Sequence, residues 1–66
     1  MLGAIIKTAR KKAGLTQRQL GEKLGFTGRT AERIIQFWEH DERDPSVEQL
    51  RPLADALGIT LDDLIP

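Results

Sequence analysis

The sequence predicts an all-α fold, five short helices packed as one compact domain over residues 1–66. Two observations carry that reading. Apolar residues recur at three- and four-residue steps in successive segments, and those segments are punctuated by hydroxyl or glycine residues of the kinds that start and stop helices. The chain also has only 66 residues and no cysteine, so neither a disulfide nor a thiolate metal site can support it and stability must come from helix packing. A chain of this length buries only about 60% of its unfolded surface.

Leu2, Ile5, Ile6, Ala9 and Ala13 mark the buried stripe of a first helix, with Lys7, Lys11 and Lys12 outside and Gly14 as its stop. The stretch from Leu15 to Arg33, LTQRQLGEKLGFTGRTAER, then reads as two short helices joined by a tight turn. Thr16 is suited to cap the first, and Leu20 and Leu24 share one face. Gly21 lies between them on that side, where the missing Cβ lets another helix cross at close range. Gly25 ends this helix and Thr27 is a candidate cap for the next, on which Ala31, Ile34, Ile35 and Trp38 form one buried stripe. Trp38 is read as core, at the junction of several helices.

The run HDERDP from His40 to Pro45 is polar and ends in a helix-breaking dipeptide, which predicts a surface loop. Ser46 and Gln49 form a capping box before Val47, Leu50, Leu53, Ala54 and Leu57, and Gly58 stops this fourth helix. Pro52 removes an amide that would bond to Glu48, but positions 48, 52 and 55 share the outward face, so a kink is expected and not a break. Thr60 and Asp63 repeat the capping pattern before Leu61, Leu64 and Ile65. The resulting fifth helix exposes more apolar surface than so small an element can bury, which makes Ile59, Leu61, Leu64 and Ile65 the expected dimer contact.

Net charge is zero, yet its distribution is uneven. Residues 1–38 hold eight basic against two acidic side chains, or +6, and residues 39–66 hold two basic against eight acidic, or −6. Such a chain can turn a basic face to phosphates and an acidic one away from them, although solvated helix faces would give the same counts. The lone His40 cannot build a metal site, and the acidic residues of the loop lack EF-hand spacing, so no metal and no cofactor is expected. Catalysis is not expected either. Ser46 is needed as a cap, His40 has no evident orienting partner, and no nucleophile-base spacing occurs. No apolar run approaches the roughly 20 residues of a membrane span and no signal-peptide core is present, so a cytoplasmic location is expected. Nothing points to a small-molecule ligand.

The exposed face of the third helix carries Gly28, Arg29, Glu32, Arg33 and Gln36. Long donors there suit the reading of base edges in a major groove. With LGAIIKTARKKAGLTQRQLGEKLGF, the pair WE and the run DPSVEQLRPLADALGITLDDLI, the chain resembles the phage repressor and Cro class of helix-turn-helix regulators, the Xre family, over nearly its whole length. That resemblance implies a lambda-repressor-like helix-turn-helix fold. One departure is that about nine residues usually separate the turn glycine from the WE pair, whereas Gly25 to Trp38 leaves twelve. The third helix should therefore be almost a turn longer, as in a rarer branch of the family that Thr30, Ala31 and Ile35 also fit.

Carried over residue by residue, the resemblance implies base contacts from Thr27, Gly28, Arg29, Thr30, Arg33 and Gln36. Gly28 has no side chain, which shifts that task to the arginines. It implies phosphate contacts from Thr16 and Gln17, with charge added by Lys11, Arg18 and Arg43. It also implies a structural ion pair between Arg10 and Glu39, although the longer helix displaces Glu39 by roughly 4.5 Å of rise. The function implied is a sequence-specific regulator of transcription that binds double-stranded DNA, a repressor acting as a homodimer on a pseudo-palindrome. With no second domain in view, a phage-type or stand-alone regulator is the working choice. The alternative is a protein-interaction module or antitoxin on the same fold. For single residues, simpler roles stay open: Thr16 as a cap only, Arg33 paired with Glu32, and Arg29 lying along phosphate.

Overall fold

The computed structural model describes residues 2–65 and contains α1 (Gly3–Lys12), α2 (Gln17–Lys23), α3 (Gly28–Glu39), α4 (Val47–Leu57) and α5 (Leu61–Leu64), with no strand among those residues. Local hydrogen bonds define the starts of three helices. The Thr16 hydroxyl accepts from the Gln19 N–H at 3.0 Å while the Gln19 side chain accepts from the Thr16 N–H at 2.8 Å. Thr60 and Asp63 repeat the exchange at 3.2 and 3.3 Å. At α4 the Gln49 side chain accepts from the Ser46 N–H at 2.8 Å. Each cap satisfies amides that the helix itself cannot, an effect of about 1 kcal/mol. α4 runs through Pro52, and Glu48, Pro52 and Asp55 are all exposed, so water reaches the carbonyl that proline leaves unbonded.

The core joins all five helices through Ile6, Leu20, Ile35, Trp38, Leu53, Leu57 and Leu64, with Ala54 among them. Three apolar assignments are corrected by this arrangement. Leu64, expected at a dimer contact, is wholly buried within its own protomer, because α5 folds its one inward position onto that core. Ala13 is exposed at the end of α1, where it borders an open groove with Ile5, Ala9, Leu57 and Ile59. Val47 is 83% exposed, since the first turn of α4 projects beyond the core that Leu53, Ala54 and Leu57 enter. Among the described residues, no helix is long and apolar enough to cross a membrane.

Two contacts fix α3 against its neighbours. At Gly21 the backbones of α2 and α3 touch: a Cβ there would overlap the Ala31 carbonyl oxygen and stand 2.6 Å from its carbon. At the other end, Arg10 of α1 grips Glu39 of α3. Its Nε donates to Glu39 Oε2 at 2.5 Å and its Nη2 to Oε1 at 3.2 Å, with both residues buried. The remaining terminal nitrogen, Nη1, donates to the Leu15 carbonyl at 2.9 Å and so holds the turn between α1 and α2. A further tie lies beside it. The Asp41 carboxylate, just beyond α3, accepts from the Gly3 N–H at 2.9 Å and caps the start of α1 from a distance of 38 residues in sequence.

These contacts give two expectations for stability. Gly21→Ala meets rigid backbone and should destabilise the fold by about 3 kcal/mol, the upper range for overpacking. Urea titration monitored by circular dichroism measures this, and an unchanged midpoint would show that α2 and α3 can separate freely. Glu39→Leu leaves the Arg10 charge buried without its partner and should cost about 3 kcal/mol, whereas combining it with Arg10→Met should cost less than either single change. Additive losses in that double-mutant cycle would refute the coupling.

Candidate nucleic-acid interface

The candidate interface is the outer face of α3, whose opposite side is anchored by Ala31, Ile35 and Trp38. Gly28 begins the helix with φ +59°, a left-handed conformation that costs an L side chain roughly 1–2 kcal/mol. This accounts for a glycine where a base-reading side chain would be expected. It also corrects the role given to Thr27. That residue is extended and precedes a left-handed residue, and its hydroxyl makes no capping bond. Only the Thr27 carbonyl takes part in the helix, accepting from the Ala31 N–H at 3.3 Å.

Arg29, Thr30, Glu32 and Arg33 are exposed and Gln36 is half-buried. Among the described residues, neither Arg29 nor Arg33 has a hydrogen-bond or ion-pair partner, and Glu32 bonds to Gln36 and not to Arg33. Both guanidinium groups therefore keep their planar forks for a ligand. Gln17, the first residue of α2, lies against this face. Its Nε2 donates to Glu39 Oε1 at 3.1 Å and its Oε1 accepts from Gln36 Nε2 at 3.2 Å. Gln36 Nε2 also donates to Glu32 Oε2 at 3.2 Å. A continuous polar chain thus leads from the buried Arg10 to the surface of α3. The spacing of Glu32 and Gln36 by four residues makes their bond readable from sequence, whereas the link from Gln17 joins positions 19 apart and has no local signal.

The expected phosphate-binding side chains are in different states. Thr16 already accepts a capping bond, and Gln17 keeps one amide hydrogen beyond its bond to Glu39. Lys11 is exposed. Arg18 pairs with Glu22 at 3.4 Å with both side chains about half-exposed, a bond worth about 0.3–0.5 kcal/mol and readily exchanged. The Arg43 guanidinium lies 4.8 Å from the centre of the Phe37 ring, so it is held beside α3 by a cation–π contact. At α5 and the residues flanking it, Ile59 and Leu61 are half-buried and Ile65 is 47% exposed. Among the described residues, no group of three His, Asp or Glu side chains is placed to hold a metal ion.

A family model described as helix-turn-helix matches residues 6–64. The chain is 34% identical over 64 residues to the HTH-type transcriptional regulator ImmR of Bacillus subtilis (strain 168), a match covering 97% of this chain and 47% of that protein. The chain thus spans about half the length of this curated relative. No solved structure matches it significantly. With a Gly21 crossing between α2 and α3, an outward row of basic side chains on α3 and a family match over almost the whole sequence, the chain belongs to the Xre-like helix-turn-helix family of DNA-binding transcription regulators.

Proposed function

We propose that this chain binds double-stranded DNA sequence-specifically, as a two-fold dimer on a pseudo-palindromic operator, and represses transcription by occupying the promoter. The observation that carries this reading is the pair of unpartnered guanidinium groups, Arg29 and Arg33, on the exposed face of α3. Each can donate two hydrogen bonds to guanine O6 and N7, worth about 1–3 kcal/mol of discrimination per pair. Thr27, with its hydroxyl free of a capping bond, and the exposed Thr30 flank them as smaller contacts to base edges or thymine methyl groups. Lys11, Arg18 and Arg43, with Thr16 and the second amide hydrogen of Gln17, supply the phosphate contacts that fix register.

The longest dimension of the described chain is 29 Å, which is less than one helical repeat of about 34 Å. One protomer therefore covers one half-site, and two are needed for useful affinity. Ile59, Leu61 and Ile65 offer the apolar surface for pairing, with Leu64 holding α5 in place from inside.

Three measurements test this reading. Arg29→Ala and Arg33→Ala should each lose about 1–3 kcal/mol of affinity at particular operator positions only. A uniform loss across single-base variants would make them backbone contacts. Lys11→Ala and Arg18→Ala should weaken binding to all duplexes alike and lower the salt slope by about one unit each; an unchanged slope removes them from the contact set. Ile65→Asp should reduce dimerisation in sedimentation runs and weaken operator binding while leaving helical content intact, and a dimer unaffected by this change would place the interface elsewhere.

A further inference from the structure

The two carboxylates at the ends of the polar chain determine which way round its two amides face. Glu39, held by Arg10, presents only acceptor oxygens, so the Gln17 group 3.1 Å from it must be the amide nitrogen. The Gln17 oxygen then faces Gln36, which has to answer with its own nitrogen at 3.2 Å. Glu32 sets the same condition from the other side, since its carboxylate can only accept from Gln36 Nε2 at 3.2 Å. Reversing either amide would set oxygen against oxygen at these distances. Both hydrogens of the Gln36 amide are thereby used, and what it has left is Oε1, on the helix face it shares with Glu32 four residues before it.

We propose that Glu32 and Gln36, oriented through Gln17 by Glu39, form an acceptor-only edge that selects an amino base, adenine or cytosine, over a keto base on the contacted strand. This inference rests on the DNA-reading role proposed above. A free glutamine would bind adenine with a donor and an acceptor together. Here the donors are withheld, so the partner has to supply one. In the major groove only adenine N6 and cytosine N4 are donors, whereas guanine N7 and O6 and thymine O4 would set acceptor against acceptor. The same edge repels phosphate, which assigns Glu32 and Gln36 to the bases and leaves backbone contacts to the cationic residues around them. Gln17 is a positioning residue in this scheme, coupling the buried ion pair to the base-reading surface.

The test is selection of bound sequences from a random duplex pool by the unaltered protein, Glu32→Gln and Gln17→Leu. The unaltered protein should enrich adenine and cytosine over guanine and thymine about fivefold or more at one position in each half-site. Glu32→Gln adds an amide donor to the edge at an exposed position, and should shift that one position towards guanine or thymine with the rest of the motif retained. Gln17→Leu frees one hydrogen of Gln36, and should reduce the amino-over-keto preference there to about twofold or less, whatever its effect on total affinity. A loss of phosphate contact alone would lower affinity without moving base preference. If the unaltered protein enriches a motif that both variants share unchanged, or if the position that shifts in Glu32→Gln originally held a keto base, this inference is overturned while the DNA-reading role stands. If the unaltered protein enriches no sequence, both fall.

Discussion

Burying a guanidinium and a carboxylate in a chain of 66 residues is tolerable only when their hydrogen-bonding capacity is taken up, and around Arg10 and Glu39 it is. Arg10 donates from all three of its nitrogens, and Glu39 receives bonds from Arg10 and from Gln17. Among the described residues, no buried side-chain polar atom lacks a partner. Such a pair adds little net stability over an apolar replacement, but it tolerates little displacement. It therefore sets positions more than it sets stability. α1, the turn into α2 and the end of α3 are all referred to one point, and the outer face of α3 inherits its orientation from there.

The twelve residues of α3 fit this anchor because adjacent residues at its end have opposite roles. Trp38 is buried in the apolar core, and Glu39, one residue on, turns to the polar side where Arg10 waits. A helix of 12 residues can then be held at both ends, at Ala31 against the bare backbone of Gly21 and at Glu39 by charge. Side chains on a helix fixed in this way are aimed by the backbone as much as by their own rotamers, which is the condition for geometric recognition of base edges.

What sequence alone made legible follows from the range of each interaction. Helix placement rests on periodicity and caps, both local, and those signals located all five helices, the Thr16–Gln19 capping box being readable in its Thr-x-x-Gln spacing, although Thr27 makes no capping bond and Ala13 and Val47 fall outside the buried stripes. Gly21 was legible because a glycine on an apolar helical face has few uses other than close approach. The pairing of Arg10 with Glu39 came from family resemblance and not from spacing, since 29 residues separate them. Non-local features had no comparable signal. The cap supplied by Asp41 to Gly3, the bond between Gln17 and Gln36, and the burial of Leu64 all depend on how elements meet in space. The left-handed start at Gly28 was hidden for a different reason, because a glycine in a turn is compatible with many conformations.

The reach of α3 has a consequence for how much sequence it can distinguish. From Arg29 to Gln36 the outward side chains cover seven residue steps, or about 10 Å of helix, which corresponds to about three base pairs at 3.4 Å each. In the dimer proposed above, two half-sites would specify about six base pairs, a combination expected by chance about once in every 4,000. Against a genome that offers on the order of 10⁶ or more competing sites, that leaves hundreds of equivalent matches. Under the function proposed above, selection of a single promoter would require further information, supplied by the deformability of the duplex between the half-sites or by several operators standing side by side.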